Sequence, residues 1–305
     1  VEHKVANHAP KAEGKAKSDG FNIPGTDTTV KLGGYVKADF IADVGNGYGA
    51  DFAKFAAIPL DGSPADGKSS DFHAHIKNTR INMTGHTPTP MGDLKTFVEV
   101  DFFGNARGSD LVTNNHNLEI RQAYGQIGGL LAGQTWTNFA DLAAWPESLD
   151  FAGTAGVSVM RQAQLRYSGK LDDDLSYSVS LENPFSDVNN GSADTISGHE
   201  RVPDLVGALT KTGDWGHVSA RAVLRDISIE NETTGADYSE FGYGVSLTSK
   251  LKVGEKDNLR LRASYGDGIG RYIYDVAVSG QGAGYNAGQL ETQEVFSGYA
   301  AYQHH

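Results

Sequence analysis

The run from Val30 to Val44 alternates with a period of two over fifteen residues, and few folds can absorb such a segment. Val30, Leu32, Val36, Ala38, Phe40, Ala42 and Val44 share one face, with Gly34 between them. Lys31, Tyr35, Lys37, Asp39 and Asp43 occupy the other, interrupted by Gly33 and Ile41. Successive strand side chains point to opposite faces, so the ribbon is apolar on one side and charged on the other. At about 3.3 Å per residue it reaches about 50 Å, far beyond the usual strand of about five or six residues. A tilted strand that crosses a bilayer takes about 9–11 residues. The segment therefore reads as one long strand of a transmembrane β-barrel, lipid outside and water within.

Bulk properties agree with this once the weak per-strand signal of a barrel is allowed for. No stretch approaches the roughly 20 apolar residues of a membrane helix, whereas barrel strands dilute their apolar residues with lumen residues. Thirty-eight glycines in 305 residues suit many strands joined by turns. The absence of cysteine fits a secreted or outer-membrane protein without a disulfide staple. A formal charge of −12 argues against nucleic acid as a partner, which needs a clustered basic surface. Much of the acid falls in loops, at Asp61, Asp66, Asp187, Asp194, Glu230 and Glu232, so net charge does not report the charge of a pore wall.

Residues 1–29 form a Lys/Ala-rich polar extension without apolar periodicity, expected on the periplasmic side. Residues 30–305 hold about twelve strand candidates. They are 30–44, 72–85, 94–103, 118–127, 131–137, 159–168, 175–182, 203–210, 216–227, 241–251, 258–266 and 294–303. The connections between them alternate long and short along the whole chain. An antiparallel up-and-down outer-membrane barrel has short periplasmic turns and longer extracellular loops, and a soluble sandwich has no reason to gather its long loops at one end. The predicted fold is thus all-β. No partner is evident for the free edge of the first strand, so a strand that closes the barrel is expected beyond His305.

Several segments resemble the proteobacterial porins. They are Val30-Lys-Leu-Gly-Gly-Tyr-Val-Lys-Ala-Asp-Phe40, Phe97-Val-Glu-Val-Asp-Phe-Phe-Gly104, Ile120-Arg-Gln-Ala-Tyr-Gly125, Gly133-Gln-Thr-Trp136 and Gln162-Ala-Gln-Leu-Arg-Tyr167. As an ordered set they look most like the DcaP-like outer-membrane porins, associated with dicarboxylate uptake. That resemblance implies a sixteen-stranded homotrimeric barrel in the Gram-negative outer membrane, with a third long loop folded into the lumen. Here that loop corresponds to Asn138–Ser158.

A porin carries out no covalent chemistry, and its selectivity lies in the width and charge of a constriction. The candidates are charges in the lumen phase of the strands: Arg80, Arg166, Arg221, Arg225, Arg260 and Arg262, with Lys37 and Arg121 beside them. Guanidinium groups suit carboxylate or phosphate because their donor fork engages two oxygens, so small anions are the expected solutes, and the resemblance implies dicarboxylates among them. The alternative is that these arginines only balance lumen acids such as Glu99, Asp101, Glu119 and Glu182. Asp141, Glu147 and Asp150 in the candidate constriction loop are expected to face the arginine wall. His73 and His75 share a strand face but lack an identifiable third ligand, so no metal or other cofactor is expected. A barrel enzyme of protease or lipase type would need a converging nucleophilic or acid–base set, and none can be assembled from the sequence. A soluble β-rich binding protein is the remaining alternative.

Overall fold

A computed structural model describes residues 20–44, 51–53, 55, 58–64, 66–67, 70–104, 113–114, 116–274, 276 and 281–304. Strands dominate. In chain order they are β1 (Phe21–Asn22), β2 (Thr29–Tyr35), β3 (Asp39–Asp43), β4 (Asp71–His75), β5 (Arg80–Thr89), β6 (Gly92–Gly104) and β7 (Asn117–Ile127). Next come β8 (Leu130–Trp136), β9 (Arg161–Lys170), β10 (Leu175–Glu182), β11 (Val188–Asn190), β12 (Ile196–Gly198) and β13 (Asp204–Gly213). The last are β14 (Gly216–Asn231), β15 (Ala236–Val253), β16 (Asp257–Asp267), β17 (Ala283–Asn286), β18 (Gln289–Thr292) and β19 (Glu294–Gln303).

The main sheet has 14 strands in the order β1-β2-β5-β6-β7-β8-β9-β10-β13-β14-β15-β16-β19, with β12 added against β14. Leaving aside the short β1 and β12, it is an antiparallel meander in which each strand pairs with the next, as the sequence predicts. Among the described residues β2 and β19 do not pair, so the sheet keeps two edges. No described helix is long and apolar enough to cross a membrane.

The burial pattern is inverted relative to a soluble protein. On β16, Asn258, Arg260, Arg262 and Ser264 are buried while Ala263 and Tyr265 face out. On β15, Ser246 and Thr248 are buried, whereas Val245 and Leu247 are more than half exposed, at 54% and 57%. Such an outer face is stable only against hydrocarbon, because water would penalise each exposed apolar side chain by about 1.5–3 kcal/mol.

Three expectations change. The ribbon from Val30 to Val44 is two strands, broken at residues 36–38, and the predicted strand 72–85 is likewise split into β4 and β5. Tyr35 pairs with Arg80, but Asp39 pairs with His75, so four residues on one side face three on the other. One surplus residue interrupts the ladder, as in a β-bulge. The Thr79 hydroxyl bridges the gap, accepting from Lys37 N at 3.2 Å and facing Lys37 O at 3.3 Å. Second, within the stretch read as a polar extension, Phe21–Asn22 form the short strand β1 and pair with Thr29–Val30. Third, the connection 228–240 is mostly strand. β14 and β15 stay paired out to Asn231 and Ala236, and this overhang carries a small sheet of β11, β17 and β18. Ile227, Ile229, Ala283, Tyr285 and Leu290 form the core between them.

Candidate functional site

The segment between β8 and β9 leaves the wall and crosses to the opposite strands. Its first residues are fully buried: Phe139 is 0% exposed and packs edge-on to Tyr272 at 5.6 Å. Asp141 then reaches the wall formed by β14 and β15, where its carboxylate accepts from His217 Nε2 at 2.8 Å and from Thr248 Oγ1 at 2.5 Å. Further along, the Trp145 carbonyl accepts from Arg260 of β16, and the Ala144 carbonyl accepts from Tyr299 of β19 at 3.1 Å.

Burial alone would raise the Asp141 carboxyl, but the His217 and Thr248 hydrogen bonds and the Arg221 charge outweigh it and hold the group at about 2. Since the folded value lies below the ordinary 3.8, the anchor contributes fully above about pH 4 and is lost as pH falls through about 2. Its size is about 2 kcal/mol. Urea titrations at neutral pH and at about pH 2 are expected to show this acid loss in the natural chain and not in Asp141→Asn. An equal loss in both chains would place the acid sensitivity elsewhere.

Around the loop the predicted arginines fall into distinct environments. Arg80 on β5 donates to Glu99 at 3.1 Å and lies 3.7 Å from Asp101. Arg121 donates to Asp101 at 2.5 Å and pairs with Glu119 at 3.3 Å. Its poor alternation in the sequence has a structural cause. Glu99 opposes Gln122 and Val100 opposes Ile120, so Arg121 is the unmatched residue of a bulge that re-aims its side chain. Arg166 donates to Gln164 at 2.8 Å and to the Trp136 carbonyl at 2.5 Å. Arg221 donates to the Asn138 carbonyl at 2.6 Å and sits 3.9 Å from Asp141. Arg260 holds Asn258 at 2.8 Å and lies 3.8 Å from Glu147. Arg262 donates to Ser264 at 2.9 Å and lies over the Phe139 ring at 5.5 Å.

Arg225 belongs to a denser network. It is 3.2 Å from Asp204 and 3.1 Å from Asp187, and it donates to the carbonyls of Gly268 and Phe185 at 2.5 and 2.7 Å. The Tyr272 hydroxyl donates to the same Asp204 at 2.7 Å. Tyr272 lies in a second inward segment that periodicity did not reveal. Its neighbour Tyr274 bonds through its amide to the Val157 carbonyl at 2.8 Å, so the segment supports the crossing loop from behind. Phe139, Val206, Val223, Ile269, Tyr272, Ile273 and Val295 form an apolar core there, on the lumen side of β13 and β14.

The other predicted site residues are Lys37, Asp150 and Glu147. Lys37 lies at the break between β2 and β3 and pairs with Asp39 at 2.9 Å. Asp150 accepts from the amides of Ala152 and Ala53 at 2.9 and 2.8 Å, shaping its own loop instead of facing arginines. Glu147 is exposed but does face the wall, with a carboxylate oxygen 3.8 Å from Arg260. His73 pairs with Asp71 at 3.0 Å and His75 with the Asp51 carbonyl at 3.1 Å; among the described residues no three metal-ligating side chains gather. Trp136 and Phe103 pack against the crossing loop. Trp136 meets Trp145 edge-on at 4.9 Å, and Phe103 stacks on Phe151 at 4.2 Å.

One functional candidate was missed. Arg161 opens β9 in the same phase as Ala163 and Leu165, so alternation assigns it to the outer face. Its guanidinium instead lies 3.4 Å from the Trp136 ring centroid, on the loop side of the wall near Arg80 and Arg121.

The profile of the family described as "Porin subfamily" matches residues 18–303. The porin Omp2b of Brucella neotomae is 28% identical over 283 residues, covering 81% of this chain and 72% of that protein. The porin Omp2b of Brucella suis is 26% identical, covering 70% of this chain and 56% of that protein. The chain thus spans little more than half the length of several curated relatives. Among solved structures, the outer membrane channel DcaP of Acinetobacter baumannii superposes with a TM-score of 0.75 at 26% identity. That match covers 93% of this chain and 75% of that one.

Proposed function

The chain belongs to the porin subfamily of outer-membrane β-barrel proteins, and from that membership we propose that it forms a water-filled channel for passive diffusion of small hydrophilic solutes. The observation that carries this reading is the inverted wall, apolar outside and lined with guanidiniums inside, crossed by a loop anchored at Asp141. A wet interior with fixed positive groups admits anions by attraction and releases them because no site holds them completely. Small anions, dicarboxylates among them, are the favoured solutes, and the chain acts without cofactor. The relatives it resembles are porins and an outer membrane channel. We assign the side of the short turns to the periplasm, and with it the β1–β2 segment that pairs at the start of β2. The assembly is a homotrimer embedded in outer-membrane lipid.

Planar bilayers with a KCl gradient test the proposal. The expected result is stepwise conductance with a reversal potential of anion sign, and a chloride current reduced by added succinate. A reversal potential of cation sign would remove the anion preference, and absence of conductance would remove the channel.

A further inference from the structure

The arginines of the wall are not equivalent in what their charge meets. Arg80, Arg121 and Arg225 each lie within ion-pair distance of one or two carboxylates. Arg161, Arg166 and Arg262 do not: among the described residues no carboxylate oxygen comes within 4.0 Å of any of them. The acids nearest to them are already engaged. Glu99 takes hydrogen bonds from Arg80 and Gln122, and Asp101 from Arg121. Asp141 is held by His217 and Thr248, and Glu182 by Gln162, Ser180 and the Asn138 amide.

These three groups, without a direct ion pair, are positioned by other means. Arg161 lies on the Trp136 ring and Arg262 over the Phe139 ring. Arg166 is fixed by the carbonyl of the same Trp136 and by Gln164. An aromatic face or a neutral oxygen orients a guanidinium without cancelling its charge, whereas a carboxylate does both. Arg161 keeps its Nε, and Arg262 both terminal nitrogens, without a hydrogen-bond partner although they are buried. Buried as they are, as is the Nε of Arg80, these nitrogens offer a passing oxyanion no direct contact, and the charges of Arg161 and Arg262 act on it through their field. Arg161 and Arg166 both contact Trp136, one at its ring and one at its carbonyl, while Arg262 sits on Phe139 at the start of the loop that Asp141 anchors.

We propose that Arg161, Arg166 and Arg262 carry the anion preference of the channel, and that Arg80, Arg121 and Arg225 serve the architecture of the wall. This rests on the anion-channel reading above. Single neutralisation of a paired arginine would mislead, because it bares a carboxylate and so changes the field as much as the loss of a free arginine. The informative comparison is between Arg161→Gln/Arg262→Gln and the charge-neutral pair removal Arg80→Gln/Glu99→Gln. Both are measured by reversal potential in the full chain, with the folded state verified by its heat-modifiable migration on gels.

The expected result is a severalfold fall in the chloride-to-potassium permeability ratio for the first variant and none for the second. Arg161→Lys/Arg262→Lys is expected to restore the ratio, which a merely structural role would not predict. The assignment is overturned if the pair removal lowers the ratio as much as the loss of Arg161 and Arg262, or if that loss leaves a natural anion preference untouched. A natural chain without anion preference would instead overturn the underlying reading, and this assignment with it.

Discussion

Replacing Arg225 by Met is expected to cost about 3–5 kcal/mol of stability, the largest loss of any single substitution in the wall. The guanidinium is almost completely buried, 1% exposed, between the carboxylates of Asp187 and Asp204. Methionine replaces the apolar stem but strands both acids and leaves the Gly268 and Phe185 carbonyls without their donor. Burial already holds the Asp187 carboxyl above its ordinary range despite the Arg225 charge. Without that charge the ionised form is penalised further, and protonation relieves the penalty. The deficit relative to the natural chain should therefore shrink as pH falls toward about 4. Urea unfolding from detergent at neutral and acid pH measures both the size and the trend. A loss below about 1 kcal/mol, typical of an exposed ion pair, would show that water reaches the network.

Excising the crossing loop is expected to have the largest effect on conduction. A chain in which residues 142–155 are replaced by a short glycine linker should show a severalfold higher single-channel conductance, with weaker discrimination by solute size. The loop spans the lumen from β8 to β16 and β19, where Trp145 and Ala144 offer their carbonyls to Arg260 and Tyr299. It also fills space between Phe103 and the far wall through Phe151. Conductance depends on the free cross-section, so removal of an obstacle of this size must register if ions pass beside it. The second inward segment, Gly270–Tyr272, packs against the wall through Val206 and Val223 and stays when the loop is cut. Unchanged conductance would mean that the ions take a path the loop does not border.

The strands were legible because a sheet between lipid and water enforces a strict period of two. Leu175–Glu182 and the alternation at Arg260 and Arg262 appear in the structure with the predicted phase. The same rule failed wherever the ladder gained a residue. It hid the break at residues 36–38 and could only note that Arg121 alternates poorly, because a bulge resets the face without any signal in residue type. Arg161 was lost for a related reason. It stands at the first position of β9, where the chain is leaving the crossing loop and phase no longer fixes direction.

Local sequence thus determined which segments are strands, which face is apolar and that arginines recur on the wet one, since all of these follow from neighbours along the chain. Tertiary structure alone decided which arginines are neutralised. Asp204 meets Arg225 from 21 residues away, and Arg80 meets Glu99 from 19. Trp145 reaches Arg260 across 115. Charge compensation depends on distances of a few ångströms between strands and loops, and alternation along a single strand carries no record of them.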